Sequence, residues 1–145
     1  MTELAFHFNA PDKLAYACRL LRKAVGAGAR LVVTAPASEL ARLNDLLWTF
    51  SPLDFIPHAM VSDPEPVRSA SPVILAEVLQ DLPHQQILVN LGTEVPPGFE
   101  HFERLIEVVS LEDGDRQAAR QRWKHYTQLG YSIIRHDLAL KESGA

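Results

Sequence analysis

Residues 4–35, LAFHFNAPDKLAYACRLLRKAVGAGARLVVTA, read as a strand, a helix and a second strand in succession. Leu4–Asn9 is short, apolar and aromatic, as strands are. Pro11 marks the start of the helix, where a missing N–H costs little. Within Asp12–Val25, Leu14, Cys18, Leu21 and Val25 recur at helical spacing. Gly26 and Gly28 suit a helix C-cap and lead into a strand over Arg30–Ala35. Such a unit implies parallel strands joined by a crossover helix.

The same alternation continues along the chain. Ser38 is placed to cap a helix that runs to about Phe50. Val73–Glu77 and Gln86–Leu91 are apolar runs without clean alternation, the pattern of buried parallel strands. Arg104–Val109 predicts another strand, Asp113–Leu129 a helix stopped by Gly130, and Tyr131–His136 a last strand. The Pro-rich stretch Asp63–Pro72 reads as a surface connection. The expectation is an α/β fold of three layers, a mostly parallel sheet flanked by helices, with Rossmann-like or mononucleotide-binding-like topology. One domain over residues 1–140 with a flexible tail at 141–145 accounts for the length.

Bulk composition narrows the function. The chain has 145 residues, 47% hydrophobic and 22% charged, with a net charge of −4. An acidic balance argues against a general nucleic-acid binder. One cysteine rules out an internal disulfide and a thiolate metal cage. With no apolar run of membrane length and no signal-like N-terminus, a cytoplasmic location is expected.

Enzyme signatures are missing where they are needed. The first strand-to-helix turn, Phe8–Asp12, has no glycine, and Pro11 and Asp12 bring a lost N–H and a negative charge. A phosphate wants glycines and free backbone N–H groups there. No GxxxxGK[ST] loop occurs, so nucleotide binding of the usual kind is not expected. The histidines His7, His58, His84, His101, His125 and His136 lack metal-ligand spacing, and Cys18 shares the apolar stripe of its helix. Glu112, Asp113 and Asp115 open a helix, where carboxylates favour the dipole. Neither a cofactor nor a metal nor catalysis is expected.

Two places invite a partner. Arg116–His136 contains five basic residues, Arg116, Arg120, Arg122, Lys124 and Arg135, and no acid, in a chain with 18 acids and 14 bases. On a helix Arg116, Arg120 and Lys124 stack at about 0°, 40° and 80°, although like charges four apart cost a few tenths of a kcal/mol per pair. Trp123 falls between that stripe and an apolar face of Ala118, Ala119, Tyr126 and Leu129. This arrangement suits an acidic peptide with one apolar anchor, single-stranded nucleic acid, or a solvated face whose cations favour the dipole. Arg122 lies inside the apolar stripe, which requires snorkelling or an unseen carboxylate. The second place is Trp48, about 120° from the stripe of Leu40, Leu43, Leu47 and Phe50. With Phe55, Ile56 and Pro57 it forms either a protein-binding patch or a loop folded over the helix end.

At these places the sequence resembles the chi subunit of bacterial DNA polymerase III. The likeness covers nearly the whole chain and is densest in Leu46–Phe50 (LLWTF), Asp54–His58 (DFIPH) and Gln117–Tyr131 (QAARQRWKHYTQLGY). It implies a non-catalytic replication subunit that pairs with the psi subunit, and with a helicase-like protein in some members. It also implies binding to the acidic C-terminal tail of single-stranded DNA-binding protein, which ends in phenylalanine. Carried over residue by residue, Trp48, Phe55, Ile56 and Pro57 become the psi-facing patch. Arg116, Arg120, Trp123 and Lys124 become the tail-binding ridge, with Val109 lining a pocket for the terminal phenylalanine. Trp123 stands where the family pattern implies tyrosine, and Thr127 where a further cation sometimes stands. The rival readings are a direct single-stranded DNA binder on the same ridge and a nucleotide-dependent α/β enzyme.

Overall fold

The opening unit folds as strand β1 (Glu3–Ala10), helix α1 (Lys13–Gly26) and strand β2 (Leu31–Thr34) in a computed structural model that describes residues 1–49 and 56–139. Pro11 precedes the helix, and Asp12 is its N-cap, its carboxylate accepting from the Ala15 N–H at 3.1 Å. At the other end the Ala27 N–H closes onto Lys23 and Ala24 carbonyls, and Gly28 turns the chain at φ 87°. Only glycine reaches that left-handed conformation without a steric penalty.

The remaining elements are α2 (Ala37–Thr49), β3 (His58–Met60), α3 (Glu65–Ala70), β4 (Val73–Leu75), β5 (Ile87–Asn90), a 3₁₀ turn (Phe99–His101), β6 (Arg104–Ser110), α4 (Asp113–Gln128) and β7 (Ile133–Asp137). The strands form one parallel sheet in the order β3-β4-β2-β5-β6-β1-β7. Alternate residues of each strand supply two cores. Leu31, Val33, Val73, Leu75, Ile87 and Val89 pack with Leu14, Leu21, Leu40 and Leu43 of α1 and α2. On the opposite face, Val32, Ile74 and Leu88 join Phe99, Ala119 and Tyr126. The expected α/β architecture is present.

Three local expectations change. Ser38 is not the cap of α2, because the Leu40 N–H already bonds the Pro36 carbonyl and places Ser38 in the first turn. Part of the Pro-rich connection forms α3, with Pro64 as its N-cap and Pro66 in its first turn, where the N–H groups that proline lacks are not needed. The short strand β3, three residues long, adds an edge that periodicity could not show. The tail at 141–145 and Phe55 lie outside the described residues.

Candidate functional site

β6 and β7 flank β1, so the connecting helix α4 must pass over β1. Across these strands Glu107, Phe6 and Arg135 stand in one register row. Helix α4 starts without a side-chain cap from Glu112. Instead Asp115 turns inward, accepting from the Ser110 N–H at 2.8 Å and pairing with Lys13 at 2.9 Å. Burial raises the Asp115 carboxyl, but the Ser110 N–H and Lys13 outweigh it and hold it below the ordinary range. The start of α4 is thereby tied to α1 and to the end of β6.

The inner side of α4 explains Arg122. Its guanidinium is buried, with Nε donating to Glu107 Oε1 at 3.1 Å and Nη1 donating to the Thr93 carbonyl at 2.9 Å. The Tyr126 hydroxyl donates to Glu107 Oε2 at 2.5 Å, and Asn90 Nδ2 lies 3.0 and 3.2 Å from the two carboxylate oxygens. Burial pushes the Glu107 carboxyl up, opposed by Arg122 and by the Tyr126 and Asn90 donors. All of these neighbours donate, the arrangement that suits an ionised carboxylate. Burial and the adjacent Glu107 together push the Tyr126 phenol far up, so it remains a donor. The residue that interrupts the apolar stripe is therefore half of a buried ion pair.

The outer side of α4 carries the cations. Val109, Arg116, Ala119, Arg120, Trp123 and Arg135 line a cavity of about 480 Å³ whose floor is Phe6 and Phe8. It opens at the carboxyl ends of β1 and β6, the region where parallel α/β sheets commonly bind ligands. The Trp123 ring meets Phe6 edge-on, centroids 5.1 Å apart. Arg116 and Arg120 are exposed, and among the described residues no carboxylate lies within 4.0 Å of their guanidinium groups. Four of the five expected ridge residues thus converge. Lys124 is exposed but lies away from the cavity lining. Arg135, Phe6 and Phe8 were not anticipated there. The count of cations included Arg135, but its place depends on the pairing of β7 with β1.

The Trp48 region divides. Leu40, Leu43 and Leu47 are buried while Trp48 is 60% exposed, its ring edge-on to His58 at 5.4 Å. Pro57 is exposed as expected. Ile56 is corrected: at 3% exposure it belongs to the core, because β3 begins two residues later and draws this segment against the sheet. Cys18 is fully buried, and burial pushes its thiol up to about 11. Pairing of β1 with β7 brings the His7 and His136 rings to 4.5 Å, yet no group of three metal-ligating side chains occurs among the described residues. None of the described helices is long and apolar enough to cross a membrane.

Residues 1–134 match the family described as DNA polymerase III chi subunit, HolC. The chain belongs to that family. It is 32% identical to the DNA polymerase III subunit chi of Pseudomonas aeruginosa over 127 residues, 87% of each chain. The subunit chi of Haemophilus influenzae is 24% identical, covering 81% of both chains. That of Escherichia coli is 26% identical over 80% of this chain and 79% of its own. Chi family membership makes the protein a replication accessory subunit and implies a complex with other replisome components. In this chain the N-terminus of the first helix is capped by its own Asp12 carboxylate, where a phosphate would otherwise be drawn.

Proposed function

We propose that this chi-family chain is a non-catalytic adaptor that joins the psi subunit to the acidic C-terminal tail of single-stranded DNA-binding protein. The observation that carries this reading is the cavity beside α4, where Arg116 and Arg120 stand without a carboxylate of their own among the described residues. Guanidinium groups form short, charge-assisted bonds with carboxylates, and the Val109–Trp123 hollow accepts an apolar side chain. A peptide that combines several acids with a terminal phenylalanine matches both halves.

Titration calorimetry with a synthetic acidic peptide ending in phenylalanine tests the site. Binding is expected, and it should weaken as salt rises, because exposed charges are screened over about 8–10 Å at 0.1–0.15 M salt. Preferential capture of a bare oligonucleotide would favour the nucleic-acid reading of the ridge, whereas peptide affinity that ignores salt would take the cations out of the contact.

The psi-facing patch is proposed around Trp48 and Pro57. Trp48 is the most exposed large apolar side chain there among the described residues, and aromatic anchors carry much of the energy of protein interfaces. Trp48→Ala is expected to reduce co-purification of psi with little change in thermal unfolding. Undiminished co-purification would place psi elsewhere.

A further inference from the structure

Arg135 lines the same cavity as the α4 ridge but comes from a different element. It projects from β7, the last strand of the sheet, and its guanidinium carbon lies 5.5 Å from the centre of the Phe8 ring. Such stacking holds a guanidinium in place while leaving its N–H fork able to bind an anion. Among the described residues no carboxylate lies within 4.0 Å of it. Asp137, two residues along β7, is already bonded to Asn9 Nδ2 at 2.8 Å.

The cavity is therefore bounded by cations on two separate elements, with Arg116 and Arg120 on α4 and Arg135 on β7, above the aromatic floor of Phe6 and Phe8. A single row of positive charge on a helix needs only a ligand lying along it. Cations brought to one hollow by two elements favour a ligand that carries at least two negative charges and can meet both. We infer that Arg135 is a specificity-determining residue of the peptide site, closing a two-sided clamp on carboxylates of one acidic peptide. This rests on the acidic-peptide reading of the cavity. It adds a contact from β7 that the α4 ridge alone does not supply.

The test is calorimetry of the acidic peptide ending in phenylalanine against the unaltered protein, Arg135→Gln, Arg135→Lys and Arg120→Ala, each at two salt concentrations. Arg135 is exposed, so its replacements should leave the thermal midpoint nearly unchanged. Arg135→Gln is expected to weaken binding by about tenfold or more and to flatten the salt dependence, as loss of one charge-assisted contact does. Arg135→Lys should fall between, keeping the charge and losing the planar fork. If Arg135→Gln binds like the unaltered protein while Arg120→Ala is weakened, the clamp is overturned and the one-sided α4 site stands. If neither substitution matters, the clamp and the peptide reading fall together.

Discussion

Replacing Glu107 with alanine is expected to destabilise the fold by about 3–5 kcal/mol, the cost of stranding one member of a buried ion pair. Arg122 is 2% exposed, and without Glu107 its charge would keep only the Thr93 carbonyl as a described acceptor. Its Nη2 already has no hydrogen-bond partner among the described residues. The Tyr126 hydroxyl would lose its acceptor in the same step, and Asn90 would lose one of its two. A domain of this size has about 5–15 kcal/mol of total stability, so the loss is a large share. Thermal and urea unfolding measure it, with a midpoint expected to fall by roughly 10 °C or more. A loss below about 1 kcal/mol would mean that the pair is replaced cheaply by water or by a shift of α4. Changing both partners to apolar residues of similar volume should cost much less, since no unpaired charge would remain.

Arg120→Ala is expected to weaken binding of the acidic peptide by at least about tenfold, because hydrogen bonds to charged groups contribute roughly 1.5–3 kcal/mol each. Arg120 lines the cavity and is exposed, so the fold should keep its stability within about 0.5 kcal/mol. Those two readouts separate a contact from a structural role. Calorimetry on the variant, beside its thermal midpoint, decides the matter: normal affinity would remove Arg120 from the site. The contrast with Arg122, two residues away, is instructive. One of these arginines faces outward and is proposed to serve a partner, while the other faces inward and serves the fold.

The layout of the sheet was legible because buried parallel strands and crossover helices leave different periods in the chain. Leu31–Thr34 and Ile87–Asn90 are buried throughout, as their uninterrupted apolar runs implied. The outward turn of Trp48 also followed from helical angle alone. What sequence could not show was adjacency between distant segments. Glu107 sits in an apolar strand and Arg122 in an apolar stripe, and each looks like a misfit until β6 and α4 are brought face to face. Arg135 reaches the cavity only because β7 lies beside β1, a neighbour 129 residues earlier in the register Phe6 to Arg135. Ile56 carried no periodic signal, since it lies between a helix and a three-residue strand, and its burial depends on how that strand joins the sheet.

The bolting of α4 from beneath by Glu107 has a consequence for the shape of any ligand above it. Arg116 and Arg120 are rooted one helical turn apart, about 6 Å along the axis at 1.5 Å per residue. An extended peptide advances about 6.6 Å for every two residues. The helix thus acts as a rigid ruler whose divisions agree with acids at alternate positions of a passing chain. A ligand with the same acids in adjacent positions would have to bend to meet both marks.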